Sequence, residues 1–160
     1  MTQDWPVAEL DPIRSLKVMA TTIPGAVLSE IVVPAPFDHT WATAADLETA
    51  LPLMIRDFRS VHVTQVESER LRVDVRGKLG QRARFDVLLR PGWCWMQSRL
   101  WVGGIAARQE SAGTRIGFLG GLRVPGAGLV VRALRPTAQR FGQAALHRLA
   151  EEIKASSPET

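Results

Sequence analysis

The sequence predicts an α+β fold, a curved antiparallel β-sheet wrapped around a long C-terminal helix, with two short helices after the first strand. Three observations predict it. Val27-Leu28-Ser29-Glu30-Ile31-Val32-Val33 reads as a strand, Pro34-Ala35-Pro36 stops it, and Phe37-Asp38-His39-Thr40-Trp41-Ala42 opens a helix. About ninety residues of strand-like sequence follow, much of it strictly alternating. The chain then closes on one amphipathic helix. Such an arrangement commonly encloses a cavity.

Taken in order, residues 1–24 read as an N-terminal extension with weak structure, where Leu10, Ile13, Leu16 and Lys17 hint at a short helix. Pro24-Gly25 marks the turn into the first strand. Pro36 suits the first turn of a helix, where its missing N–H costs nothing. Phe37, Trp41, Ala44 and Ala45 share a face of that helix. A second short helix runs through Leu47, Leu51, Met54 and Ile55, disturbed by Pro52, and Phe58 ends the section.

The strands come next. Val61, Val63 and Gln65 alternate with His62, Thr64 and Val66. Leu71, Val73 and Val75 alternate with Arg70, Arg72, Asp74 and Arg76. Ala83, Phe85, Val87 and Leu89 alternate with Arg82, Arg84, Asp86 and Arg90. This patterning predicts half-buried antiparallel strands with one face in water, and the Arg-rich face is expected to be the exposed one. Gly77-Lys78-Leu79-Gly80 fits a hairpin loop and Pro91-Gly92 the next turn. Residues 93–102, 105–110 and 115–123 read as three further strands, with a turn at Ser111-Ala112-Gly113. Pro125-Gly126-Ala127-Gly128 breaks the sheet pattern. The last helix takes over with Leu129, Val130, Ala133 and Leu134, and Pro136 is expected to kink or restart it. Phe141, Ala145, Leu149 and Ile153 form its apolar stripe, opposite Arg140, Arg148, Glu151 and Lys154. Residues 25–155 thus make a single domain, and 156–160 a frayed tail.

Composition bounds the function. A chain of 160 residues that is 46% hydrophobic builds one globular core. No apolar run reaches the roughly 18 residues a bilayer span needs, and the start has no signal-peptide pattern. Cys94 is the single cysteine, so no intramolecular disulfide forms, which fits a reducing cytoplasm. The net charge of +4 hides an asymmetry: residues 70–148 hold fifteen basic and three acidic side chains, whereas residues 1–69 hold four and ten. Asp74 and Asp86 interrupt the Arg rows, so ordinary surface pairing rather than a specific nucleic-acid site is expected.

The element order resembles that of the START-like, or SRPBCC, superfamily, and within it the bacterial polyketide cyclase/dehydrase branch. The resemblance rests on Val33-Pro34-Ala35-Pro36, Trp41 one turn into the helix, Asp46-Leu47 leading into the second helix, Gly113-Thr114-Arg115-Ile116, and the helix at 129–154. It covers residues 26–154 and implies a helix-grip fold over an apolar cavity. The superfamily has no common catalytic residue, so no role transfers residue by residue. The bacterial branch usually carries a Trp where Leu53-Met54 stand here.

The residues themselves offer little chemistry. His39, His62 and His147 lie in separate elements without ligand spacing, so neither a metal nor a cofactor is expected. His39 and His62 read as solvated and His147 as a surface or rim residue. No serine has a histidine placed to activate it, and the glycine-rich stretches lack a Walker lysine. The cluster Trp93, Trp95, Gln97, Arg99 and Trp101 alternates along 93–102 with Cys94, Met96, Ser98, Leu100 and Val102. Facing inward, the tryptophans would wall a cavity with Arg99 as its one charge; facing outward, they suggest a homodimer, lipid contact or stacking. Gly103, Gly104, Ala106, Ala107, Gly117 and Gly120 leave space for either a cavity or a close-packed helix.

Two functions follow from different classes. The first is binding or transport of a small hydrophobic or aromatic ligand. The second is a cyclase- or dehydratase-type enzyme on a polyketide-like substrate, with catalytic residues unassigned. The chain has no tyrosine, and its acids and histidines fall mostly at wet positions, which favours binding over catalysis. Glu30 and Gln65 are further candidate polar groups. The expected cavity lining is Met54, Leu134 and Phe141 from the helices, Phe85, Leu100 and Ile116 from the sheet, and Arg99 as the polar contributor.

Overall fold

A computed structural model describes residues 11–126 and 128–157. The seven strands are β1 (Val27–Val33), β2 (Phe58–Gln65), β3 (Arg70–Gly77), β4 (Arg82–Arg90), β5 (Trp93–Gln97), β6 (Trp101–Glu110) and β7 (Gly113–Leu122). They form one antiparallel sheet in the order β1-β7-β6-β5-β4-β3-β2. The first strand therefore pairs with the last, Val27 opposite Gly120 and Val33 opposite Thr114. Four helices complete the fold: α1 (Pro12–Thr22), α2 (Phe37–Ala45), α3 (Leu47–Met54) and α4 (Gly128–Ala155).

One face of the sheet carries the main core. Val73, Val87, Met96, Ile105, Ile116 and Phe118 point into it, against α2, α3 and the C-terminal half of α4. Trp41, Phe85 and Leu149 are buried there, as their periodicity predicts. On the opposite face Arg70, Arg72, Arg82 and Arg84 are exposed, as expected.

Residues 12–22 depart from the expectation of weak structure. Asp11 caps α1 by accepting the Arg14 N–H at 3.0 Å, and Pro12 occupies its first turn. The helix covers the outer face over β6 and β7, burying Ile13 and Leu16 completely. Glycines make room for it: a Cβ on Gly104 would sit 2.8 Å from Leu16 Cδ1, and one on Gly117 3.0 Å from Cδ2. Half of the small residues in the late strands thus serve a close-packed helix on the outside. The expectation for Leu10 and the rest of 1–10 lies outside the described residues, as does that for 158–160 of the tail.

The expected strand 93–102 is two strands joined by a tight hairpin. Ser98 N–H donates to the Trp101 carbonyl at 2.8 Å, and Trp101 N–H donates to Ser98 Oγ at 3.0 Å. Arg99 and Leu100 form the tip, neither with positive φ, so the turn needs no glycine and the sequence carries no turn signal. The hairpin resets the alternation. Trp93 and Trp95 face outward and pack beside α1, with rings stacked 6.1 Å apart. Trp101 faces the other way, because its neighbour Val102 belongs to the outer cluster. Helix α4 runs through Pro136 as one element of 28 residues, so the helix does not restart there. Pro136 lies in its exposed half, where the backbone carbonyl that proline leaves unpaired is open to solvent.

Candidate functional site

Helix α4 closes on the sheet along only half its length. Gly142, Ala145, Leu146, Leu149, Ala150 and Ile153 are buried. Gly142 permits the closest approach to β1, since a Cβ there would lie 2.5 Å from Ser29 Oγ. Towards the N-terminus the helix still touches the start of β1, with Val131 against Gly25. Between these contacts Leu134 and Phe141 remain 52% and 43% exposed.

Helical geometry fixes where that flank points. Leu134, Phe141 and Arg148 recur at seven-residue steps and so share one side of α4. Arg148 donates from Nε to the Leu53 carbonyl at 2.9 Å and from Nη2 to the Met54 carbonyl at 2.5 Å, at the end of α3. The flank therefore looks across the concave face on the α3 side. Desolvation, reinforced by the nearby Arg56 charge, lowers the Arg148 pKa. Opposite the open part of the flank, Gly120 has no atom within 4 Å of where its Cβ would be. Gly103 and Met96 lie beside it in register, and Trp101 pairs with Leu122 at the sheet's end. That end of α4 and the concave face beside Gly120 therefore present exposed apolar surface to each other.

The predicted lining residues scatter over three environments. Met54, Phe85 and Ile116 lie in the packed core. Leu134 and Phe141 are exposed on the open flank of α4. Leu100 and Arg99 do not reach the concave face: both are exposed at the β5–β6 hairpin tip, because the strand that would have carried them inward ends at Gln97. Arg99 instead borders an outer-face cleft of about 410 Å³ with Arg84, Asp86, Gln97, Ser98 and Arg123. Sequence reasoning missed Trp101 and Leu122 as concave-face residues, since the hidden hairpin inverts their facing.

The polar candidates also resolve. Glu30 lies on the outer side, 3.6 Å from Lys17 of α1. Gln65 is exposed at the end of β2. His39 is not solvated; its Nε2 bonds the Ile153 carbonyl at 3.0 Å and ties α2 to the end of α4. His62 stands exposed beside Glu48, and His147 is on the surface. Cys94 is wholly buried, and burial pushes its thiol up to about 12. Among the described residues no three His, Cys, Asp or Glu side chains converge as metal ligands, and no helix is long and apolar enough to cross a membrane.

Comparison with solved structures recovers this architecture repeatedly. TTHA0849 from Thermus thermophilus superposes with a TM-score of 0.64 at 23% identity, over 83% of this chain and 99% of that one. The Zhui aromatase/cyclase from Streptomyces sp. R1128 gives 0.60 at 16% identity, over 81% and 93%. The fold is helix-grip-like. The di-domain aromatase/cyclase StfQ of the steffimycin biosynthetic pathway gives 0.67 at 12% identity over 88% of this chain, which spans 55% of StfQ. No family model matches the sequence, and no curated protein does. What these likenesses establish is the helix-grip-like fold, at identities that carry no activity across.

Proposed function

We propose that the protein binds a small hydrophobic or aromatic molecule in the cleft between the concave face and the Leu134–Phe141 flank of α4. One observation carries the reading. The inward positions of the sheet, from Val61 on β2 to Leu122 on β7 and including β1, hold no Asp, Glu, His, Lys or Arg. A surface of this kind rewards apolar area and offers no group to take or give a proton. Buried, unpaired Cys94 supports a reducing compartment such as the cytoplasm.

The test uses intrinsic fluorescence, since Trp101 stands at the mouth. Titration with fatty acids, flavonoids and anthracycline-like aromatics is expected to give a Kd below about 100 μM for at least one class. Phe141→Ser should weaken it about tenfold without unfolding a chain whose Phe141 is already 43% exposed. No binding by any class overturns the reading.

A second reading is a cyclase- or dehydratase-type enzyme, favoured by the aromatase/cyclases among the structural neighbours. It requires an acid–base group that the sheet wall lacks, so it rests on the fold alone. Turnover of a polyketide-like substrate that Phe141→Ser abolishes would establish it over simple binding.

A further inference from the structure

The end of the molecule where the cleft opens carries a second feature that ligand binding leaves unexplained. Three segments meet there. The Arg123 N–H donates to the Leu100 carbonyl at 2.8 Å, joining the β5–β6 hairpin tip to the segment after β7. Val131 rests on Gly25 beside the start of β1, which brings the first turns of α4 to the same end. Exposed large apolar side chains concentrate on these segments: Leu129 at 82%, Val130 at 60%, Leu100 and Trp101 at 51% each, and Val124 at 43%. Exposed arginines surround them, Arg99 and Arg123 on the loops and Arg132 and Arg135 on α4, and none has an acidic partner among the described residues. From Ser111 to Ala150 the chain has six Arg and no Asp or Glu. The adjoining outer cleft adds Arg84 and a single carboxylate, Asp86.

We propose that this end docks on anionic phospholipid membranes, with Leu129, Leu100 and Trp101 entering the interface and the arginines against the headgroups. Two properties together select that partner. Acid-free cationic character attracts a negative surface. Leucine, valine and tryptophan interleaved with arginine match the boundary between headgroup and acyl chain. A nucleic-acid backbone would reward the arginines and leave the aliphatic side chains in water. The docking is independent of what the cleft holds, because vesicle binding and ligand fluorescence are separate readouts.

Sedimentation with vesicles tests it. The full chain is expected to pellet with phosphatidylcholine vesicles containing about 30% phosphatidylglycerol, to stay in solution with phosphatidylcholine alone, and to be released as salt rises. Arg123→Gln/Arg132→Gln/Arg135→Gln should lower the partition coefficient roughly a hundredfold, about fivefold per charge. Leu129→Ser/Leu100→Ser should lower it about tenfold while leaving the salt dependence unchanged. All five side chains are exposed, so unchanged circular dichroism and urea midpoints are expected. Equal binding to neutral vesicles, or binding to neither, overturns the proposal. So does loss of mixed-nucleic-acid binding in the arginine variant without vesicle binding, or a dimer that buries Leu129 in place of the membrane.

Discussion

Replacing Leu16 by alanine separates a structural α1 from a dispensable one. Leu16 is wholly buried, in a socket that Gly104 and Gly117 leave open on the outer face. Leu→Ala at such a site removes transfer energy and leaves a cavity, together about 3–4 kcal/mol. With a urea dependence of about 2 kcal/mol per molar, the midpoint should fall by about 1.5–2 M. A second substitution sharpens the test. Gly104→Ala would put a Cβ 2.8 Å from Leu16 Cδ1 and 3.0 Å from Trp95 Cε3. Overpacking of that kind costs about 1–3 kcal/mol, offset by about 0.4–1 kcal/mol from the stiffer unfolded chain. In the Leu16→Ala background the first clash disappears and the new methyl fills part of the void. The pair should therefore be less destabilising than the sum of its parts by about 1–2 kcal/mol, read from urea melts by tryptophan fluorescence. A Leu16→Ala loss under about 1 kcal/mol, or additivity within about 0.5 kcal/mol, would refute the packing described for α1.

Other outcomes follow from single contacts. Arg148→Met should destabilise by about 2 kcal/mol in urea melts, because the Leu53 and Met54 carbonyls lose a charged donor; Arg148→Lys, with one point donor, should recover only part of that. Iodoacetamide at about pH 8 should leave Cys94 unlabelled in the native protein and alkylate it in urea, since burial pushes the thiol up to about 12; rapid native labelling by mass spectrometry would contradict its burial. Hydrogen bonds from Arg115 and Arg108 hold the Glu110 carboxyl below its ordinary 4.5. Stability from a depressed acid is complete above the ordinary pKa and is lost as pH falls through the folded one. The gap between wild type and Glu110→Gln in urea midpoint should therefore narrow below about pH 4.5, and a gap constant with pH would reject the ion cluster.

Much of the fold was legible because half-buried strands write their facing into the sequence. β3 alternates throughout and β4 as far as Val87, and the stripe of Ala145, Leu149 and Ile153 identifies the closing helix. Two features were hidden, one wholly and one in part, for physical reasons. The hairpin at Arg99-Leu100 uses ordinary backbone angles, so nothing in its residue types marks it, and one unmarked turn reversed the facing of Trp101. In α1, the spacing of Ile13 and Leu16 hinted at a short helix, but only two side chains are fully buried, too short a stripe to show its extent or that it packs on the sheet. The glycines beneath it read equally well as cavity space. The candidate site was half legible: Leu134 and Phe141 follow from helical spacing, whereas Trp101 and Leu122 require the register.

The pairing of the first strand with the last has a consequence for synthesis. β1 emerges from the ribosome with its edge unmatched until residues 114–120 have been made, and α1, which precedes it, waits for β6 and β7 to supply the surface it covers. The hairpins from β2 to β7 join neighbours in sequence and can assemble as they appear. Closure between β1 and β7 joins residues 81 to 93 positions apart and bears a larger loop entropy than any hairpin between neighbouring strands. A nascent chain stalled before Gly113 would therefore present a bare strand and an unattached amphipathic helix, the species that needs shielding from aggregation.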